Sequence, residues 1–441
     1  MMGNMAEDIE DNSRIRLFDW NKRIVLVTCL IMLFSLYAPY IRAFTYLYQI
    51  TVLVFTFWVA SKNAASSIVP LLVLTVTRDY IAASVSESFS AYYGINGIIL
   101  AGIMLSIIFW FLYKRQFKIY STKSSGMMLL FGLHMLLSQF FAVSLDEYGQ
   151  FFCAICFMYM VFPYIIECDE DVIMSRIAFV ISGAFIAIGI LPYIMNYAEI
   201  SAYTAFINGN SLLVDRNYQS LFILLCILQT IVLLIENGKE LTWITKIGLI
   251  LTIVADFAIV VSGGSRSAVI TMISAVLIYL IVNRRDTSKF FLFLLIASLI
   301  GVIAFQSGLF DVVMERFHEA DVSSGNGRLV IWKKFIDSYC NGNIVSWLFG
   351  RGLVGIVYTN SPAHNVYISI LFCFGSIGLI LYVGNILITI WNCIRTNHAN
   401  ELIILVPILI MCCTLEPYYR IEGAIYIPLV SSIAFYYLRR R

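Results

Sequence analysis

Long apolar stretches, separated by short charged or turn-rich breaks, recur from residue 24 to residue 438, and no other feature limits the fold so tightly. A helix rises about 1.5 Å per residue, so crossing a hydrocarbon layer of about 30 Å takes roughly 20 mostly apolar residues. Of the 441 residues, 60% are hydrophobic and 13% charged, against about a quarter charged in soluble domains. A water-soluble globular core is thereby excluded. The formal net charge of +2 also speaks against a nucleic-acid surface.

Apolar runs fall at about 24–41, 44–60, 65–77, 95–113, 126–144, 149–166, 176–194, 218–235, 243–260, 267–282, 289–305, 365–388, 401–415 and 424–438. The expected fold class is an all-α polytopic membrane protein with about 14 transmembrane helices, or 12–14 where Pro407, Pro428 and a short third run soften the boundaries. About twenty polar and charged residues precede the first run, so the first span is expected to be an uncleaved anchor. With the N-terminus inside, nineteen of the 29 basic residues fall on the cytoplasmic side, as the positive-inside rule asks. The expected organisation is a cytoplasmic segment at 1–23, helices 1–11 over 24–305, a large outer loop at 306–364, helices 12–14 over 365–438, and a cytoplasmic tail at 439–441. The loop is too long for a passive connection, and GRLVIWKKFIDSY within it spaces its apolar residues as an amphipathic helix does.

Most of the ten cysteines, the CxxC pair Cys153 and Cys156 among them, lie inside apolar runs, where a thiol behaves as a small hydrophobe. No metal or other cofactor is expected, since the outer segments hold no Asp-x-Asp or His-rich set.

Four polar features of the expected outer face carry the chemistry. Asp215 and Asn217 flank Arg216 at the start of an apolar run; they read as a helix cap with a snorkelling Arg, or as a cation at a cavity mouth. In SGGSRSA, Arg266 stands beside a helix N-terminus, an arrangement that an anion such as phosphate would relieve, although a plain turn is the rival reading. In GRLVIWKK, Arg328 and Trp332 are four residues apart and share a helix face; Trp332 is an interfacial anchor or a sugar platform. In PAHN, His364 and Asn365 stand where the loop re-enters the membrane, and Asn365 is expected to contact substrate. His364 titrates in the range that suits proton transfer, while a capping role is the alternative. Glu315, Glu319, Asp321 and Asp337 remain as other possible bases.

Taken in order, SGGSRSA, GRLVIWKKF, LFGRGLVG and PAHNVYISILFCFGSIGLIL resemble the bacterial O-antigen polymerase and ligase superfamily, best over about 210–390. The resemblance implies a metal-independent glycosyltransferase that moves glycan from undecaprenyl diphosphate at the outer face of the bacterial inner membrane, with inversion at the anomeric carbon. It matches the family's arginines to Arg266 and Arg328 and its histidine to His364, with Arg216 a looser match. Arg351, between the glycines of LFGRGLVG, departs from the pattern and reads as a further phosphate contact or an exposed side chain. Lipid-linked repeat units, membrane lipids, a flippase and a chain-length regulator are the implied partners. A polymerase is the preferred reading, because fourteen spans suit it better than a ligase. An O-antigen ligase or protein oligosaccharyltransferase is the runner-up. A flippase or transporter of lipid-linked sugars is the rival of another class, and Asp256 and His134 on one water-filled path would favour it.

Overall fold

The computed structural model describes residues 21–33, 42–63, 65–72, 123–141, 149–195, 216–262, 265–283, 306, 311, 314, 318, 327–352, 363–396, 398–416 and 421–440. Its regular elements are helices: α1 at 21–33, α2 at Arg42–Lys62, α3 at Lys123–Ser138, α4 at Gly149–Val161 and α5 at Asp169–Met195. After them come α6 at Arg216–Asn237, α7 at Trp243–Ser262, α8 at Arg266–Val282, α9 at Arg328–Cys340 and α10 at Ile344–Phe349. The chain closes with α11 at Val366–Arg395, α12 at Leu402–Met411 and α13 at Ile421–Arg439.

The expectation of about fourteen spans is overturned. Among the described residues four helices are long and apolar enough to cross a membrane: Asp169–Ile188, Ser220–Asn237, Trp243–Val261 and Val366–Arg395. They make this a multi-pass membrane protein. Hydropathy alone treats each apolar run as one straight helix, and several runs are interrupted. The run expected at 149–166 gives thirteen residues of α4 before a 3₁₀ turn with Pro163 in it. The run at 401–415 gives ten residues in α12, followed by turns at 412–414. Arg266–Val282 reaches seventeen residues, short of the roughly 20 a span requires. The runs expected at 95–113 and 289–305 lie outside the described residues.

α6 is deeply buried, with Leu221, Phe222, Ile223, Leu224, Leu225 and Cys226 all buried, and α5, α7, α8 and α12 pack around it. On α7, Ile244, Ile247, Ile250, Leu251 and Val254 are exposed, an apolar face that meets lipid in a membrane. α11 packs on α3, α10, α9 and α13. Its lower half joins α13 through polar side chains, with Asn385 Nδ2 donating to Ser431 Oγ at 3.0 Å and Thr389 Oγ1 3.0 Å from the same oxygen. Such hydrogen bonds hold helices together where lipid removes the hydrophobic drive.

One end of the bundle is closed by ions. Arg176, at the start of the run expected at 176–194, lies inside α5 and is 1% exposed. It donates to Gln229 Oε1 at 3.2 Å, Glu236 Oε2 at 2.8 Å and Glu401 Oε1 at 2.6 Å, so α5, the end of α6 and the start of α12 meet there. Beside this cluster opens a cavity of about 860 Å³, lined by Asp169, Glu240, His398, Asn400 and Tyr437 among others. A buried charge left without its partner is costly, about 3–5 kcal/mol. Arg176→Met is therefore expected to lower the thermal unfolding midpoint in detergent strongly, and Arg176→Met combined with Glu401→Gln to recover part of the loss.

The upper half of α11 is kinked. Gly375 has φ 69° and ψ −173°, and a Cβ there would stand 2.3 Å from the Leu348 carbonyl oxygen. A Cβ on Gly350 (φ 76°) would likewise stand 2.2 Å from the Cys373 carbonyl oxygen. The end of α10 thus crosses α11 backbone to backbone. Carbonyls at the kink find partners outside the helix: Phe372 O accepts from Arg351 N (3.2 Å), Cys373 O from Gly352 N (2.8 Å), and Phe374 O is 2.7 Å from His134 Nε2. The combination of positive φ and extended ψ at Gly375 costs a side-chain-bearing residue about 1–3 kcal/mol before the collision is counted. Gly375→Ala should therefore destabilise the protein by more than that, read as a lowered unfolding midpoint.

Candidate functional site

Of the polar features that mark the expected outer face, the Arg328–Trp332 helix and the 363–365 turn meet at the end of the bundle away from Arg176. Ile278, late in α8, packs against the Leu402 cluster at the start of α12, so the two helices run antiparallel. Arg266, which opens α8, is therefore at the end where α12 stops and residues 412–416 follow. There the turn 363–365 enters α11, and two backbone segments lie side by side: Val366 N donates to Cys412 O at 2.9 Å, and Asn365 Nδ2 to Cys413 O at 3.1 Å.

Asn365 is the N-cap of α11, its Oδ1 accepting from Tyr367 N at 3.0 Å and Ile368 N at 3.1 Å. These bonds satisfy amide groups that a helix start leaves open. His364, just before it, has φ 52° and is the one non-glycine residue with positive φ among the described residues. A non-glycine residue stays in that region only when its surroundings enforce it. Glu416, 1% exposed, lies against this turn. The backbone N–H groups of Asn365, His364 and Ala363 and the Ser369 hydroxyl lie about its carboxyl group and hydrogen-bond to one of its oxygens, Oε2. Those bonds favour its charged form, but burial outweighs them and pushes its pKa up to about 7.

α9 is tied to the same turn. Trp332 Nε1 donates to Ala363 O at 2.8 Å, and the Phe335 ring meets Phe372 edge-on with centroids 5.0 Å apart. Arg328 begins α9, after Gly327 with φ 80°, one helical turn from Trp332 and on the same face. Arg351 is half-buried; its Nη2 donates to Ser338 O at 2.9 Å and its guanidinium lies 5.5 Å from the Phe372 ring centre. Arg351 therefore straps α9 to α11. Asp337 is exposed on α9, while Glu315, Glu319 and Asp321 lie outside the described residues.

The DRNYQS and SGGSRSA motifs meet at their helix starts. Ser265 caps α8 by accepting from Ala268 N at 3.4 Å and donates to Asn217 Oδ1 at 3.0 Å. Asn217 is thus a link between helices as well as a residue of the first turn of α6. Arg216 opens α6, but its side chain lies outside the described residues.

An arginine-bearing helix start, a second arginine helix in a connecting segment, and a histidine pinned at the entry to a kinked apolar helix form the ordered set that family comparison can test. Residues 250–383 match the O-antigen ligase family model. The O-antigen ligase match contains Arg266, Arg328, Trp332, Arg351, His364 and Asn365, and it leaves Arg216 and Glu416 outside. The resemblance read from the sequence is borne out over that stretch. No curated protein and no solved structure matches the chain.

His134 and Asp256 each have their own surroundings. His134 stacks on Phe349, with centroids 5.6 Å apart, beside the kink. Asp256 is fully buried where α7 meets Gly183 of α5. Neither contact favours a transport path. Sequence reasoning passed over Glu416, although the signal was present: a lone carboxylate ends the apolar run 401–415, on the side expected to hold His364.

Two outcomes follow. Asn365→Ala, which removes the cap and the tie to Cys413, is expected to cost about 1–2 kcal/mol of stability. Glu416 binds its proton more tightly in the native protein than an ordinary carboxyl does, at about 4.3. Its contribution is therefore fully present below that value and is lost as pH rises through about 7. Thermal stability in detergent should decline across this window, and Glu416→Gln should flatten the decline.

Proposed function

We propose that the chain is a glycosyltransferase of the O-antigen ligase kind, acting at the outer face of a bacterial inner membrane. It moves glycan from undecaprenyl diphosphate to an acceptor sugar. The observation that carries this reading is the O-antigen ligase match over 250–383, which runs from ahead of Arg266 to beyond His364. The match favours a ligase over a polymerase. The polymerase preference rested on fourteen spans, and that count has fallen.

In the proposed reaction His364 takes the proton of the acceptor hydroxyl. The acceptor oxygen forms the new bond to the anomeric carbon from the face opposite the leaving group. The bond from that carbon to the diphosphate oxygen breaks, and undecaprenyl diphosphate leaves with the electron pair. Arg266 and Arg328, with Arg216 in support, hold the diphosphate, where fixed cations stabilise charge that develops in the transition state. Trp332 and Asn365, both engaged with the histidine turn or its neighbours, act by fixing the base more than by touching sugar. The flippase and chain-length regulator of the same pathway are the expected partners, and the enzyme needs no cofactor.

The test is transfer by purified protein from a native undecaprenyl-diphosphate glycan, offered either a lipid A-core acceptor or a second lipid-linked unit, with products separated by size. A single joined product on the core acceptor is expected. A ladder of repeats would make the protein a polymerase instead. Movement of intact donor across liposomes without any bond formed would sink the enzyme reading. Folded His364→Ala should lose about 10²–10⁴-fold in rate, and folded Arg266→Ala about 10²-fold or more.

A further inference from the structure

Glu416 lies beyond the family match and approaches His364 from a different part of the chain. The N–H groups of residues 363, 364 and 365 converge on its carboxylate. With His364 at φ 52°, they form the kind of backbone concavity that holds an anion. Here the acidic group belongs to the protein itself. The Ser369 hydroxyl, one turn into α11, completes the set. Two further bonds, Val366 N to Cys412 O and Asn365 Nδ2 to Cys413 O, keep the strand that carries Glu416 in place against the turn. From the other side, the Trp332 indole holds Ala363 O.

We propose that Glu416 is the positioning residue for His364: its buried carboxylate fills the N–H concavity of residues 363–365 and so fixes the direction of the imidazole. The proposal rests on the reading of His364 as the general base. Glu416 itself touches no substrate in it. The physical need is specific. A left-handed residue relaxes once the group that collects its neighbours' N–H groups is gone, and the side chain of His364 swings with its backbone. A displacement on the order of 1 Å from the reactive geometry is enough to cost about 10²-fold in rate.

The test compares the wild type with Glu416→Gln at one pH in two independent assays. Gln keeps the shape but removes the acidic group and places an NH2 group, a donor, beside the backbone donors of the turn. In the transfer assay, normalised to folded protein, Glu416→Gln is expected to lower kcat by about 10–10²-fold with KM for the lipid-linked donor changed less than about threefold. A loss matched by the fall in folded fraction, or an unchanged kcat, overturns the proposal. The second assay measures the rate of diethyl pyrocarbonate modification of His364 by mass spectrometry, with the exposed His318 as internal control. His364 should react several-fold faster in Glu416→Gln while His318 does not change, and equal His364 rates overturn the proposal whether or not the protein transfers glycan. If the wild type transfers nothing but the His364 rate changes, the positioning stands and the functional reading fails. Should Glu416→Gln not fold, Ser369→Ala removes one donor to the same carboxylate. No change in either assay for that variant is equally fatal.

Discussion

The backbone of α11 breaks at Gly375, and the carbonyls released there must be satisfied without water. Phe372 O and Cys373 O accept from the N–H groups of Arg351 and Gly352, and Phe374 O meets His134. Those bonds hold α10 and α3 against α11. Arg351 then reaches Ser338 in α9, and Trp332 in α9 reaches Ala363 at the start of α11. A closed path of hydrogen bonds thus runs from the kink back to the histidine turn. Two glycines make it possible, because a Cβ on Gly350 or Gly375 would occupy the neighbouring backbone.

The two ends of the bundle are held differently. Around Arg176, three side chains converge on one guanidinium, an arrangement in which each ion depends on its partner. Around His364, backbone N–H groups converge on one carboxylate, so the group that is fixed is main chain. The first arrangement stabilises the contact of α5, α6 and α12. The second lies against a single left-handed residue, His364.

Much of the site was legible as residue types in order: Arg266, Arg328, His364 and the glycine-bearing motifs, all of which fall inside the O-antigen ligase match. The capping role of Asn365 emerged only from the structure, where its Oδ1 accepts from Tyr367 N and Ile368 N. Trp332 was read as an interfacial anchor or a sugar platform and Arg351 as a phosphate contact or an exposed side chain, and both spend hydrogen-bond donors on protein carbonyls. The span count failed because hydropathy sees composition and not continuity. The 3₁₀ turn around Pro163 and the turns at 412–414 leave short helices where long ones were expected.

By itself the sequence determined the membrane solvent and the helical class, because apolar backbone without water has to bond to itself, and helices do this within one segment. It also determined the chemistry on offer: two arginines, one histidine and their order along the chain. Only the tertiary structure decided that Glu416 would sit beneath His364, fifty-two residues earlier in the chain. It alone decided that Ser265 would meet Asn217 and that Arg176 would be buried. Such pairs leave no local pattern, since neither helical period nor turn chemistry relates residues so far apart. They exist because helix packing brings the segments together and a buried polar group must then find a partner.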